Sequence, residues 1–304
     1  METLKELHDW ALNVKRLDTI DAPDAEVEAL LGKLRETHIF TARVAEGASI
    51  IRARTELDFD GPNQILFEHQ LSYRTDLDNV RKGRCNLDNE AAFYGVLMTD
   101  QDKLKANDRI TCTSEVSKIK ILDEDTKGVE YTTTGIWRVT KPFDVFAFVH
   151  DSALNGSNRL MSEMKQEFAQ MSRKQEVTNQ DKGVFFQEFF SGIFGEPNSP
   201  YKVSACLTSM LFNAGCKGIL YPSVQTKGLG LNLALPPDIV NNHLQIRNAL
   251  VEKIYKKRKQ VVADIFLECH EVKQTEKGNM LVWREGHSAG KAGLDYLLRP
   301  NSNK

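Results

Sequence analysis

Hydrophobic residues within the first 46 positions recur at helical spacing in two short stretches. The first stretch is marked by Leu4, Leu7, Ala11 and Val14, and the second by Val27, Leu30, Leu31 and Leu34. Residues three or four positions apart lie on one face of an α-helix, so each stretch predicts an amphipathic helix. The segment from Asp18 to Pro23 breaks the pattern between them. We therefore predict a helical leader over residues 1–46.

Strand-like patterns, rich in β-branched and aromatic residues, follow the leader. Ser49–Arg54 predicts a first strand, and Val129–Val139 and Phe143–Val149 predict two strands separated by a turn that contains proline. Ile219–Tyr221 and Asn279–Trp283 predict two further strands. Together these segments predict a central β-sheet.

Helical spacing returns between residues 157 and 215. An apolar stripe consists of Met161, Met164, Phe168 and Met171, and further helices are predicted at Val184–Phe194 and Val203–Asn213. A stripe of this kind is typical of core packing rather than of a cofactor groove. Leu250–Val272 fits either one long helix or a helix that turns into a strand. The whole pattern predicts an α+β protein with a leader at 1–46, a main domain at 47–240 and a C-terminal extension at 241–304 packed on the core.

Composition and charge narrow the class of protein. Of the 304 residues 41% are hydrophobic, which suffices for one sizeable core or one core with an appendage. Lys and Arg number 40 against 42 for Asp and Glu, so no global field attracts the chain to nucleic acid or to an anionic membrane. The chain lacks a basic start followed by an apolar stretch, and it has no run of about 18 apolar residues. We expect a cytoplasmic protein.

Neither the cysteines nor the histidines show the spacing of a metal site. The cysteines are odd in number and form no Cys-x-x-Cys pair, so we expect reduced thiols and no metal. The densest basic cluster is Lys253, Lys256, Lys257, Arg258 and Lys259. Since no series of aromatic residues accompanies it, a solvated face beside an acidic partner is favoured over nucleic acid.

Several short motifs follow one another in a fixed order through more than half of the chain. They are Arg52 within Ile50–Arg54, Gly83-Arg84-Cys85-Asn86, Phe93-Tyr94-Gly95, Glu115, Tyr221-Pro222-Ser223 and Gly230-Leu231-Asn232-Leu233-Ala234-Leu235. Each motif alone is typical of an ordinary strand, turn or surface position. In this order, over about residues 48–240, they resemble the RES family, which is named for its Arg, Glu and Ser and whose members break down NAD+.

The resemblance implies both a fold and an activity. The family has a mixed α+β core similar to that of ADP-ribosyltransferase toxins, with NAD+ in a central cleft. Its members cleave NAD+ by hydrolysis or phosphorolysis, so phosphate is a candidate co-substrate and no separate cofactor is expected. Many are growth-arresting toxins that a helix-turn-helix antitoxin blocks, and we include such an antitoxin and a homodimer among the expected partners.

The chemistry of NAD+ cleavage explains these residue types. A guanidinium such as that of Arg52 or Arg84 can anchor the pyrophosphate through paired charge-assisted hydrogen bonds. The ribose becomes oxocarbenium-like as nicotinamide leaves, and the carboxylate of Glu115 can stabilise that charge. Tyr94 offers a stacking wall for nicotinamide. Ser223 can orient a ribose or phosphate oxygen, and we do not predict it as a covalent nucleophile because no Gly-x-Ser-x-Gly elbow surrounds it.

The predicted site has two departures from the family pattern. The predicted catalytic residues are Arg52, Glu115 and Ser223, and the predicted substrate-binding residues are Arg84, Tyr94, Asn86 and Asn232. Cys85 replaces the usual aromatic residue, and the 20 residues between Tyr94 and Glu115 exceed the common spacing. Two alternatives therefore stay open, an ADP-ribosyltransferase that acts on a macromolecule and a catalytically idle regulatory binding module.

Overall fold

The structure of the chain is a computed structural model. It describes residues 4–20, 22–32, 40–55, 66–100, 104–119, 122–149, 158–174, 177–197 and 199–286. These residues contain seven α-helices and ten β-strands, and the predicted α+β class is confirmed. The predicted likeness to ADP-ribosyltransferase toxins stays a prediction.

The elements follow one another along the chain with few long interruptions. The helices are α1 (Leu4–Thr19), α2 (Asp24–Leu31), α3 (Ala106–Val116), α4 (Arg159–Ser172), α5 (Val177–Gly195), α6 (Lys202–Asn213) and α7 (Pro237–His243). The strands are β1 (Thr41–Val44), β2 (Ser49–Arg54), β3 (Phe93–Leu97), β4 (Lys127–Val139), β5 (Phe143–Ala147), β6 (Ile219–Pro222), β7 (Leu231–Leu235), β8 (Leu244–Lys257), β9 (Gln260–Thr275) and β10 (Gly278–Glu285). Leu34 of the predicted second helix lies outside the described residues.

Two compact units divide the chain. The first comprises Met1–Glu46, Arg74–Tyr94 and Lys141–His243, and the second comprises Gly47–Tyr73, Gly95–Thr140 and Leu244–Lys304. Each unit therefore draws on three separate stretches of sequence. The division into 1–46, 47–240 and 241–304 stays a prediction.

The first unit has a mixed sheet in the order β1, β5, β6, β7. β5 and β6 run parallel, whereas β1 with β5 and β6 with β7 are antiparallel. The apolar faces of α1, α2, α5 and α6 meet in one buried cluster, in which Phe148 and Phe194 are fully buried with ring centroids 4.6 Å apart. Leu7, Val14 and Val27 of the predicted leader belong to this cluster. The leader helices thus share the core of the first unit.

The predicted core stripe of α4 is only partly buried. Met161 is buried, and Phe168 packs on Phe40 with ring centroids 5.7 Å apart. Met171, by contrast, is exposed. The core prediction therefore holds at Met161 and is wrong at Met171, whose side chain faces solvent although the next residue, Ser172, is buried.

The second unit has an antiparallel sheet in the order β3, β2, β4, β8, β9, β10, to which β3 contributes Gly95–Leu97. Helix α3 covers one face, where Cys112 packs with Ile51 and Ala53. The 3-10 turn Glu68–Leu71 approaches the other face at Gly135, since a Cβ there would lie 3.3 Å from the side chain of Leu71.

The helix predicted within Leu250–Val272 is wrong. β8 and β9 form a long hairpin in which Lys257 lies opposite Gln260, so only two residues make the turn. Two-residue hairpin turns usually show glycine or asparagine, whereas here Arg258 takes the positive φ of 55°. The pairing of β8 with β4 over most of its length overrides the local helical pattern.

Candidate functional site

A tight turn in the first unit contains the motif Gly83-Arg84-Cys85-Asn86. The Gly83 amide donates a hydrogen bond to the Asn86 carbonyl over 3.0 Å and closes the turn. A Cβ on Gly83 would lie 2.7 Å from Asn86 Oδ1 and 2.9 Å from the hydroxyl oxygen of Tyr94. The motif therefore begins with glycine because two polar side chains occupy the space that a larger residue would need.

Asn86 and Tyr94, both predicted to bind substrate, are brought together at this turn. The Tyr94 hydroxyl donates to Asn86 Oδ1 over 2.7 Å and accepts from the Cys85 amide over 2.7 Å. Asn86 Nδ2 donates to the carbonyls of Arg81 and Leu87 over 3.0 and 2.8 Å. These bonds satisfy the buried Asn86 amide within the loop, as buried polar groups require. Both side chains thus shape the turn, and their contact with substrate stays a prediction.

Arg84 points from the same turn to the end of α5. Its guanidinium donates to the carbonyls of Phe194 and Glu196 over 2.8 and 3.1 Å and stacks over the Tyr201 ring at 4.7 Å. The last carbonyls of a helix have no partner within the helix, and a cation there is also favoured by the helix dipole. Arg84 therefore caps α5, while its predicted role as phosphate anchor stays a prediction.

Cys85 connects the turn to β6 and α6. Burial raises the pKa of its thiol to about 12, while hydrogen bonds with Thr208 and Tyr221 and the charge of Arg84 act in the opposite direction. The thiol is protonated at neutral pH, which excludes it as a ready nucleophile. Through Cys85 the structure brings the Gly83–Asn86 turn into contact with the Tyr221-Pro222-Ser223 motif.

Ser223 is wholly buried in the turn that follows β6. Its amide donates to the Gly230 carbonyl over 2.9 Å, and its carbonyl accepts from the Gly228 amide over 2.8 Å. Its hydroxyl accepts from the Thr226 amide over 3.3 Å. Asn232 follows on β7, so the structure brings the two motifs together on neighbouring strands. The predicted roles of Ser223 and Asn232 stay predictions.

Arg52 lies in the second unit, in the middle of β2. Its Nε donates to the Ser72 carbonyl over 3.2 Å, and the Arg54 guanidinium donates to the same oxygen over 2.6 Å. Ile51 and Ala53 on either side of Arg52 pack in the cluster beneath α3. Because side chains alternate along a strand, Arg52 points to the opposite face of the sheet.

Glu115 lies on α3 and is exposed. Cys112 and Val116 of the same helix pack with β2. Burial raises the pKa of the Cys112 thiol to about 12, and the charges of Arg52 and Glu115 act on it in opposite directions, so both side chains lie near Cys112. The predicted catalytic roles of Arg52 and Glu115 stay predictions.

An ion pair in the second unit, with one buried partner, was not predicted from the sequence. The Arg109 guanidinium of α3 donates to the carboxylate of Glu252 on β8, and Glu252 is only 2% exposed. Burial lowers the pKa of Arg109. The two residues are 143 positions apart, so no local signal marks the pair. It joins α3 to the sheet, and removal of Arg109 would leave the buried Glu252 carboxylate poorly solvated.

The described residues contain no group of three or more His, Cys, Asp or Glu side chains that could hold a metal ion. All five cysteines are free. None of the helices in the described part of the chain has both the length and the apolar character needed to cross a membrane.

Among solved structures, the chain has a distant likeness to a toxin-antitoxin complex. The chain matches no protein-family model and no curated protein. It is similar to the crystal structure of the M. tuberculosis MbcT-MbcA toxin-antitoxin complex, with a TM-score of 0.30 and 13% identity, over 75% of this chain and 92% of that chain. A likeness at this TM-score and identity carries no conclusion about the activity of this chain.

Proposed function

We propose that the chain degrades NAD+ by cleaving the bond between nicotinamide and ribose, with water or phosphate as the acceptor, and that it acts as a growth-arresting toxin. The observation that carries the proposal is the contact among motifs that lie far apart in sequence. The Gly83–Asn86 turn, Tyr94 and Tyr221 meet around Cys85 in the first unit. If the order of these motifs in the sequence were accidental, we would not expect them to lie in contact in the fold.

In this proposal Arg52 of the second unit binds a phosphate of NAD+. Its guanidinium is half-buried and held at Ser72, which reduces the side-chain entropy lost when an anion binds. Asn86 and Tyr94 hold the Gly83–Asn86 turn in its conformation. Ser223 holds the loop that precedes β7. A helix-turn-helix antitoxin is the proposed partner, as the family resemblance implies.

The placement of Arg84 favours a second candidate function, a catalytically idle binding module. Arg84 is engaged by the carbonyls at the end of α5. A module of this kind would keep the fold and bind a partner without cleaving NAD+.

Incubation of the purified chain with NAD+, with and without phosphate, separates these functions. We expect nicotinamide release, and a fall in kcat/KM of about 10- to 100-fold for Arg52→Ala because a charge-assisted hydrogen bond is lost. Arg43→Ala is the matched control, since Arg43 is exposed and forms only a surface ion pair with Asp144. Label from NAD+ on a macromolecule would indicate an ADP-ribosyltransferase. No cleavage and no transfer by folded protein would leave the binding module.

A further inference from the structure

Two charged residues of the first unit lie at the unfavourable ends of their helices. Asp18 is in the last turn of α1, where the helix dipole is negative, and Lys202 opens α6, where the dipole is positive. Lys202 is also buried. Each placement costs free energy within its own helix, so a compensating contact is expected outside it.

The compensation comes from contacts between the leader helices and the start of α6. Asp18 accepts hydrogen bonds from the Val203 amide over 3.0 Å and from the Ser199 hydroxyl over 2.9 Å. The N-cap residue of α6, Tyr201, has a left-handed backbone and makes no side-chain cap of its own. Asp18 therefore supplies from α1 the N-terminal cap that α6 lacks.

A second contact reinforces the same junction. Lys202 Nζ lies 3.7 Å from the carboxylate of Asp24 at the start of α2. Both leader helices thus contribute a carboxylate to the first turn of α6.

Helix α6 in turn holds the loop that carries the Gly-Arg-Cys-Asn motif. The Ser209 hydroxyl donates to Glu90 Oε1 over 2.8 Å, and Glu90 Oε2 accepts from the Leu87 amide over 3.1 Å. Cys85 also packs in the buried cluster that contains Cys206 and Leu207 of α6. A continuous series of contacts therefore links the leader helices, through α6, to the motif loop 83–90.

We propose that Asp18 is a positioning residue, which holds the motif loop 83–90 in place through the N-terminus of α6. The leader helices then help to hold this loop in place and do not form an independent appendage. The link to catalysis rests on the proposed function, but the mechanical coupling does not. Loss of Asp18 loosens α6 and lets the loop open more often.

The labelling rate of the Cys85 thiol under native conditions, followed by mass spectrometry, reports this opening. We expect Asp18→Ala to raise the Cys85 rate about 3- to 10-fold, as the loss of a helix cap permits. The rates of Cys112 and Cys269 in the second unit should stay unchanged. Asp9→Ala is the matched control, because Asp9 is an exposed carboxylate on the same helix.

Two conservative variants keep the test decisive if Asp18→Ala does not fold. Asp18→Asn retains an oxygen that accepts from the Val203 amide, so we expect a Cys85 rate close to that of the wild type. Ser199→Ala removes one of the two bonds to Asp18, and its Cys85 rate should rise by a smaller factor than that of Asp18→Ala. An unchanged Cys85 rate in both Asp18→Ala and Ser199→Ala, or an equal rise at all cysteines, would overturn the proposal.

Kinetics then connect the coupling to the proposed reaction. For Asp18→Ala we expect a higher KM for NAD+ with kcat retained, since a loosened loop weakens binding before it changes chemistry. A chain that releases no nicotinamide in any form would refute the proposed function alone. The thiol labelling would still decide whether Asp18 positions the loop.

Discussion

At the scale of single residues, position 83 needs glycine because there is no space for a side chain, rather than because the backbone needs the conformational freedom of glycine. Gly83→Ala would press a Cβ against Asn86 Oδ1 at 2.7 Å and the Tyr94 hydroxyl at 2.9 Å. We expect a loss of about 1–3 kcal/mol in the free energy of unfolding, measured by urea denaturation. Gly183→Ala in α5 is the control, because its Cβ would meet no atom within 4 Å outside its chain neighbours and its own helix backbone, and alanine favours a helix. Equal stability of the two variants would contradict the packing described for Gly83.

Buried thiols make stability sensitive to alkaline pH. Burial raises the pKa of Cys85 and of Cys112 from 9.0 to about 12. Between these values the unfolded chain loses the proton and the folded chain keeps it, so stability is full below pH 9 and falls as the pH rises. Each thiol should contribute a fall of about 1.4 kcal/mol per pH unit.

Denaturation at pH 8 and at pH 10 tests this dependence. In Cys112→Ala the fall in stability between the two pH values should be smaller than in the wild type by about 1 kcal/mol. The same fall in both proteins would show that the Cys112 thiol does not contribute.

At the scale of elements, Arg84 is expected to act on the end of α5. Arg84→Lys keeps the charge but loses the planar fork that reaches the carbonyls of Phe194 and Glu196. We expect a loss of about 1–3 kcal/mol in the free energy of unfolding and an unchanged KM for NAD+ in the folded enzyme. A higher KM at unchanged stability would instead identify Arg84 as a substrate contact.

The same scale shows which elements the sequence could predict. β2, β5 and α6 were predicted nearly to their ends, because their apolar patterns agree with their burial. The β8–β9 hairpin was not, since the Arg258-Lys259 turn carries no glycine or asparagine. Its stabilising partner, β4, is also distant in sequence. Local patterns therefore predicted those elements whose burial follows their own apolar pattern. They failed where pairing with a strand that is distant in sequence determines the secondary structure.

At the scale of the whole molecule, the order of the motifs predicted which residues lie close together better than it predicted the role of each residue. Asn86 and Tyr94 are hydrogen-bonded to each other, as residues of one motif series should be close. Spacing could not show that the Tyr94 hydroxyl is used inside the loop. Nor could it show that Ile51 and Ala53, and not Arg52, face α3. Such details depend on which face of a strand is covered, and only the tertiary structure fixes that.

Release of nicotinamide from NAD+, followed in time by proton NMR with the purified full chain, tests the central claim most directly. The proposed function predicts that nicotinamide accumulates in proportion to protein concentration. It should appear together with ADP-ribose in water or with the phosphorylated ADP-ribose in phosphate buffer. Arg52→Ala should slow the release, and Arg43→Ala should not. Intact NAD+ in both buffers, with a folded wild-type chain, would contradict the account.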